Sequence, residues 1–375
     1  MKLATIGLTY AHKRMVLDAN VPGVEYYSYQ NWYNPILKKI FHTYEVYPPL
    51  FQNKIEAYHT FNTIMLTNKP WCVTFETFIP RAEKLYGINH HDSFDAKGTF
   101  LMHKVMERLA MDNCKKMIAY TKCNLRLQLE MNKLFPDLTD VLNKKTIYLA
   151  CPQTLFTDKP QTIVPQKVKF FFMGRDFVRK GVPEVILALH EIRKRRSDFE
   201  LHLITDITHR QNYAFNDFQD TLDDMEKYKK MIAESSDWIF LHKPMPYADC
   251  INLMKSCHVG LLTTWADTLG FSALDMQAAG LPVVSTNVRA QPEINPCGWM
   301  VKLPVNYANE VGLKSCSQKD KVREMFIGQL IGIFCNILNN KEEIVLRSER
   351  SFQHIISKHS LKDYSEKIAE IYSTF

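Results

Sequence analysis

The chain has 375 residues, of which 46% are hydrophobic and 23% charged, a composition typical of a soluble globular protein of about two domains. Its nine cysteines have no C-x-x-C or C-x-x-H spacing, which argues against a disulfide framework and a zinc site and favours a reducing cytoplasm. No signal peptide is visible, and the longest apolar run, Phe326–Leu338, has 13 residues, too few to cross a bilayer.

The net charge of +7 is unevenly distributed along the chain. Residues 1–160 carry 20 Lys and Arg against 14 Asp and Glu, whereas residues 161–375 carry 27 against 26. A basic first half suits an anionic acceptor or an anionic membrane surface. The alternative is that scattered surface lysines only keep the protein soluble.

The first half alternates short apolar runs with helical segments, which predicts a parallel sheet covered by helices. The strand expected at residues 70–75 leads into Glu76. A carboxylate at the carboxyl end of a strand could accept a hydrogen bond from an acceptor hydroxyl or stabilise a developing positive charge. The alternative is a solvated loop residue paired with Arg81. The first domain is predicted to contain strands at 3–8, 24–29, 55–60, 70–75 and 117–121 and helices at 98–112 and 124–135.

His90, His91 and Asp92 are consecutive and raise the question of a metal site. Adjacent side chains point apart on a strand or helix, and no further ligand is placed nearby, so these residues are predicted to lie in a loop. No metal site is expected anywhere in the chain.

The boundary between the domains is predicted near residue 160. Residues 147–152 close the first domain, and residues 153–166 contain two prolines and several polar residues, as linkers do. The predicted domains are 1–160, 161–355 and a C-terminal helix over 356–375 that is a candidate to return to the first domain.

The second domain opens with a buried strand, residues 168–173, which runs into Gly174-Arg175-Asp176-Phe177-Val178-Arg179-Lys180-Gly181. Pro183 stands in the first turn of the following helix, where its missing N–H is harmless. Arg175 and Lys180, fixed in such a turn, could stabilise an anionic group.

The stretch 259–293 carries the densest pattern in the chain. It predicts a strand at 259–264, a helix at about 271–279 that Gly280 and Pro282 end, and a second strand at 281–286. Asp267 and Asp275 bracket the start of the helix. The backbone N–H groups of Gly270, Phe271, Ser272 and Ala273 would be free there to bind a phosphate.

This pattern resembles the signature of retaining glycosyltransferases of the GT-B fold, close to glycosyltransferase family 4 (group 1). The family form is E-G-F-G-x-x-x-x-E followed by A-x-G-x-P-V-V. Here it is Asp267-Thr268-Leu269-Gly270-Phe271-Ser272-Ala273-Leu274-Asp275 followed by Ala279-Gly280-Leu281-Pro282-Val283-Val284, so both glutamates are aspartates. The segment 174–181 is similar to the family's G-R-x-x-x-x-K-G loop. Val73-Thr74-Phe75 matches the start of V-T-x-H-D, with Glu76 where the family has histidine.

The resemblance implies an α/β fold of the GT-B type, with two Rossmann-like, doubly wound parallel-sheet domains facing a cleft. Arg175, Lys180, Asp267 and Glu76 would be catalytic. Arg175 and Lys180 would hold the diphosphate, Asp267 would contact the donor sugar, and Glu76 would lie near the reacting carbon. The residues implied to bind the donor are Gly174, Gly270, Phe271, Ser272, Ala273, Asp275, which would accept from the ribose, and Lys243, beside the base.

The implied function is retaining, metal-independent transfer of a hexose from a nucleoside diphosphate sugar, with UDP as the leading donor. The acceptor would be a hydroxyl of a glycan or lipid-linked saccharide in cell-surface polysaccharide synthesis. No cofactor and no nucleic acid partner are expected. The protein would be cytoplasmic, with the inner face of the membrane as a candidate surface. The alternatives are a nucleotide-sugar-binding protein without transfer activity, a nucleotide-sugar epimerase and a phosphorylase.

Overall fold

The computed structural model describes residues 1–7, 9–29, 46–49, 54–81 and 100–375. The chain divides into two compact units. The first contains residues 1–152 together with 359–375, and the second contains residues 153–358. The closing segment, residues 359–375, therefore belongs to the first unit.

The described part of the first unit is built on a six-stranded parallel sheet. Its strands are β1 (Lys2–Ile6), β2 (Glu25–Tyr29), β4 (Ala57–Phe61), β6 (Trp71–Phe75), β7 (Cys114–Ala119) and β8 (Thr146–Tyr148), in the order β2-β1-β4-β6-β7-β8. The short strands β3 (Val46–Tyr47) and β5 (Ile64–Met65), which were not predicted, pair separately. The helices are α1 (Tyr10–His12), continued by a π-helix at Lys13–Leu17, α2 (Phe100–Ala110), α3 (Lys122–Asn132) and α4 (Thr139–Lys145).

The second unit contains a second six-stranded parallel sheet. Its strands are β9 (Val168–Asp176), β10 (Phe199–Asp206), β11 (Ile239–Leu241), β12 (Val259–Leu262), β13 (Val283–Thr286) and β14 (Trp299–Val301). The helices are α5 (Val182–Arg193), α6 (Leu222–Glu234), α7 (Tyr247–Lys255), α8 (Phe271–Ala278), α9 (Gln291–Ile294), α10 (Cys316–Asn339) and α11 (Glu342–Lys358). The order β11-β10-β9-β12-β13-β14 is the dinucleotide-binding order 3-2-1-4-5-6.

Strands buried on both faces explain why apolar runs predicted this sheet. Phe170, Phe171 and Phe172 of β9 are all fully buried, because helices cover both faces of a parallel sheet. The predicted fold class, α/β with two doubly wound parallel sheets, is confirmed. All nine cysteines are free thiols.

The last helix, α12 (Leu361–Tyr372), completes the core of the first unit. The hydroxyl of Tyr372 lies 2.7 Å from Nδ1 of the buried His59 on β4, and Nε2 of His59 lies 2.8 Å from Oγ1 of Thr74 on β6. The hydroxyl of Tyr364 donates to the carbonyl of Met15 at 2.7 Å. Burial lowers the pKa of His59 to about 3, so this link is made by a neutral imidazole.

Candidate functional site

The predicted donor residues of the second unit gather at the point where its sheet changes direction. β9 and β12 are neighbours, and the chain continues from β9 towards one edge of the sheet and from β12 towards the other. Ligands of doubly wound folds bind in the crevice that this reversal leaves beyond the carboxyl ends of the strands. The loops that follow β9 and β12, residues 177–181 and 263–270, both begin there.

Two glycines allow the loop after β9 to approach its neighbours closely. A Cβ on Gly174 would lie 3.2 Å from Cζ of Phe172 and 3.7 Å from Cγ of Lys180. Gly181 has a φ of +72°, and a Cβ there would lie 1.9 Å from the carbonyl oxygen of Thr263. Only glycine fits the second position, which fixes the loop against the end of β12.

Lys180 and Asp267 come together at this point. The ammonium of Lys180 and Oδ2 of Asp267 form an ion pair, and the two side chains are only 12% and 14% exposed. Burial lowers the pKa of Lys180, whereas the carboxylate of Asp267 acts to raise it. Residues 87 positions apart in the sequence are therefore one charged pair in the fold.

Arg175 and Lys243 border a pocket of about 750 Å³ beyond the carboxyl ends of β9, β10 and β11. The side chain of Arg175 is exposed. Among the described residues it makes no hydrogen bond or ion pair, so its guanidinium is available to a ligand. Asp206 at the end of β10 and the exposed Lys243 after β11 line the same pocket.

His242 also lines this pocket and is held by a second histidine. Its Nε2 lies 3.1 Å from Nδ1 of His202, and the two rings are stacked with their centroids 5.3 Å apart. Burial lowers the pKa of both imidazoles. Two neutral rings can share one hydrogen bond, which sets the orientation of His242 at the pocket wall.

The start of α8 departs from the prediction in one respect. Gly270 has a φ of +79°, and a Cβ there would lie 2.3 Å from Cδ2 of Leu262. The N–H of Ala273 donates to the carbonyl of Gly270 at 2.9 Å. The prediction that Ala273 presents a free amide is therefore wrong, because the first turn closes on itself. Phe271 and Ser272 are half-buried at the same turn.

Asp275 lies in the body of α8 and is only 3% exposed. A carboxylate this deeply buried cannot lie on an open surface. The structure therefore places Asp267 in the loop before the helix and Asp275 within the helix.

Glu76 lies in the first unit, directly after β6. Its carboxylate forms an ion pair with Arg81 and accepts a hydrogen bond from the hydroxyl of Tyr120 at 3.2 Å. Its backbone N–H donates to Oδ1 of Asn62 at 2.8 Å. The pairing with Arg81 is the one that the alternative interpretation of Glu76 anticipated.

Two residues of the second unit were not among the predicted site residues. The guanidinium of Arg179 pairs with Asp176, donates to the carbonyl of Ala266 at 2.6 Å and lies 5.5 Å from the ring centroid of Tyr213. Arg179 directly precedes Lys180, so the doubled cation in the sequence was a usable signal. Tyr213 lies in a polar segment whose sequence pattern contains no signal of a binding residue.

Within the residues that the structure describes, no three His, Cys, Asp or Glu side chains are grouped as metal ligands would be. His90, His91 and Asp92 lie outside those residues.

A sequence profile of the group 1 glycosyl transferases matches residues 155–298. The second unit carries a group 1 glycosyltransferase domain. The predicted family resemblance is confirmed for the second unit. No curated protein sequence matches the chain.

Solved structures of similar fold include two cyanobacterial proteins. The Anabaena protein HepE in complex with UDP-glucose aligns over 100% of both chains at 11% identity, with a TM-score of 0.61. Sucrose-phosphate synthase from Thermosynechococcus elongatus aligns over 100% of this chain and 98% of its own at 12% identity, with a TM-score of 0.61. WaaG, a glycosyltransferase involved in lipopolysaccharide biosynthesis, aligns over 99% of each chain at 13% identity, with a TM-score of 0.57. These likenesses show the GT-B fold.

No helix in the described part of the chain combines the length and apolar composition needed to span a bilayer.

Proposed function

We propose that the glycosyltransferase moves a hexose from a nucleoside diphosphate sugar, with UDP as the leading nucleotide, to a hydroxyl group, with retention of configuration and without a metal ion. The observation that carries the proposal is the Lys180–Asp267 pair at the reversal point of the sheet, beside the pocket bordered by Arg175 and Lys243. It puts a cation, a carboxylate and an open pocket where doubly wound folds bind nucleotides.

In this proposal the cations act on the leaving group. The bond between the anomeric carbon and the diphosphate oxygen breaks, and negative charge accumulates on the diphosphate. Lys180 and Arg175 stabilise that charge, which is the role that a divalent ion has in other enzymes. The acceptor oxygen bonds to the same face of the anomeric carbon, and its proton passes to the departing phosphate.

The remaining residues have binding roles in the proposal. Asp267 contacts hydroxyls of the donor sugar, Asp275 accepts from the ribose, and Lys243 borders the base. Glu76 orients the acceptor or stabilises the developing positive charge. The paired state of Glu76 with Arg81 and Tyr120 suits a fixed, ionised carboxylate.

The acceptor is proposed to be a glycan or a lipid-linked saccharide of cell-surface polysaccharide synthesis. The excess of basic residues in 1–160 supports an anionic acceptor and peripheral binding at the inner face of an anionic membrane. A sedimentation assay with anionic and neutral vesicles tests the second part. Equal sedimentation with both kinds of vesicle would contradict it.

The second candidate is a nucleotide-sugar-binding protein without transfer activity. The ion pair between Glu76 and Arg81 favours it, because a carboxylate that is already neutralised by an arginine is less available to the acceptor.

Thermal unfolding with UDP, GDP, ADP and CMP, each with and without Mg²⁺, tests the proposal. A ligand at 100 times its Kd adds about 2.7 kcal/mol to the free energy of unfolding. We expect a shift with one diphosphate that does not depend on the metal. No shift with any nucleotide would contradict the proposed donor site.

Turnover separates the two candidates. The corresponding nucleoside diphosphate sugar should be hydrolysed, or should donate its hexose, in the presence of EDTA. Both activities should be lost in an Asp267→Asn, Asp275→Asn double variant. A donor that binds but is never turned over would favour the binding protein, and loss of turnover with EDTA would overturn metal independence.

A further inference from the structure

Residues 207–221, between β10 and α6, form a segment that is firmly anchored at one residue. A single 3₁₀ turn spans Tyr213–Phe215, and the side chain of Asn212 accepts from the N–H of Ala214 at 3.1 Å. Phe215 is fully buried. Its ring lies edge-on to Trp265, with the centroids 5.0 Å apart. Phe215 thus attaches the segment directly beside the loop that follows β12.

Charged residues from α10 reinforce this anchor. The guanidinium of Arg323 donates to Asp220 at 2.8 Å, and the ammonium of Lys319 lies 3.2 Å from the same carboxylate. Both cations also lie 5.3 Å from the ring centroid of Phe215. The carboxylate of Asp220 is fully buried, and a buried charge that is paired twice is costly to displace. The turn therefore has a fixed position relative to the donor loops.

Tyr213, two residues before Phe215, faces the solvent and not the core. Its side chain is 59% exposed. Its ring faces the guanidinium of Arg179, which directly precedes Lys180 and donates to the carbonyl of Ala266, the residue before Asp267. The phenol therefore borders the same group of charges as the Lys180–Asp267 pair.

An exposed tyrosine on a rigid anchor contributes little to the core, because most of its surface stays in water. It does offer an O–H donor of fixed position, and a phenol keeps its proton at neutral pH. Phosphate oxygens accept such hydrogen bonds strongly, because they are charged.

We propose that Tyr213 is a donor-binding residue whose hydroxyl donates a hydrogen bond to the terminal phosphate of the nucleoside diphosphate, while its ring holds Arg179 in place. This rests on the proposed function, because it needs a nucleoside diphosphate at the Lys180 site. It assigns the segment 207–221 to donor recognition.

The test is calorimetric titration of the Tyr213→Phe variant with UDP and with UMP, with GDP and GMP in parallel. Phenylalanine keeps the ring over Arg179 and removes only the hydroxyl. A hydrogen bond to a charged group corresponds to a loss of affinity on the order of ten-fold or more. We expect that loss for the diphosphate and unchanged affinity for the monophosphate, which lacks the terminal phosphate.

Tyr27→Phe is the matched control, since it removes a hydroxyl from the edge strand β2 of the first unit. It should bind all four nucleotides as the wild type does. The melting temperature of Tyr213→Phe should equal that of the wild type, because the residue is largely exposed.

The outcomes separate this inference from the proposed function. Equal affinity of Tyr213→Phe and wild type for the diphosphate, or an equal loss for diphosphate and monophosphate, overturns the role of Tyr213 and leaves the donor site standing. A wild-type protein that binds none of the four nucleotides overturns the proposed function itself.

Discussion

Replacing Asp267 by asparagine should tighten the binding of UDP while it slows sugar transfer. The ammonium of Lys180 is paired with the carboxylate of Asp267. An incoming diphosphate has to compete with that carboxylate for the ammonium. UDP carries no hexose on its diphosphate, so it loses no contact when the carboxylate is removed. A donor sugar would lose its contact with Asp267, so turnover should fall.

The size of the gain in UDP binding free energy follows from the burial of the Lys180–Asp267 pair. Two unit charges about 4 Å apart interact by about 4 kcal/mol at an effective dielectric constant near 20. The two side chains are 12% and 14% exposed, so water and side-chain rearrangement offset part of this in the free protein. A net gain of about 1–2 kcal/mol remains, which is roughly a 5- to 30-fold lower Kd for UDP.

Isothermal titration calorimetry of four proteins measures this effect. These are the wild type, Asp267→Asn, Lys180→Met and the double variant. The gain should vanish when Lys180 is also replaced, because it acts through that ammonium. Asp237→Asn removes a carboxylate from a surface pair with Arg193 and should leave UDP affinity unchanged. An Asp267→Asn protein that binds UDP no more tightly than the wild type would refute the competition.

Three further outcomes are expected. Lys180→Ala should lower kcat/KM about 100-fold, the cost of losing one group that stabilises the leaving charge, and unchanged steady-state kinetics would exclude Lys180 from the reaction. Gly181→Ala should lower the free energy of unfolding by about 3 kcal/mol, since its Cβ would meet the carbonyl of Thr263; Gly328→Ala, in open space within α10, should raise it by about 1 kcal/mol in the same urea titrations. Because burial holds the pKa of His59 at about 3, below its ordinary value near 6.5, the unfolded chain binds a proton that the folded chain does not between these values. Stability should therefore fall by about 1.4 kcal/mol per pH unit below pH 6.5, and a His59→Gln protein with an equally steep loss would contradict this.

The fold was predictable where buried elements produce a recognisable pattern of apolar residues in the sequence. β9 and β12 lie in the middle of the sheet, so their residues are apolar on both faces, and both strands start where the runs of apolar residues start. Gly181 and Gly270 each allow a close approach that another residue would block, but the family pattern, and not these contacts, identified them in the sequence. Short strands such as β3, β5 and β14 contain too few residues to show a periodic pattern of apolar residues.

The donor-site residues that the sequence did not identify depend on distant contacts. The position of Tyr213 is set by Phe215, which packs on Trp265, and by Lys319 and Arg323, about 100 residues further along the chain. A polar segment with no periodicity does not reveal such partners. The prediction that the amide of Ala273 is free was wrong for a local reason. Backbone geometry, and not residue type, decides whether the first turn of a helix closes with a hydrogen bond to its own carbonyl.

The return of α12 to the first unit has a consequence for how the protein is made. Tyr364 and Tyr372, which complete that core, are 4% and 5% exposed and are synthesised only after the whole of the second unit. Residues 153–358 emerge before them and contain all the strands of their own sheet. The glycosyltransferase domain can therefore finish folding during synthesis. The first unit, although its strands are translated first, cannot cover His59 until α12 has been synthesised.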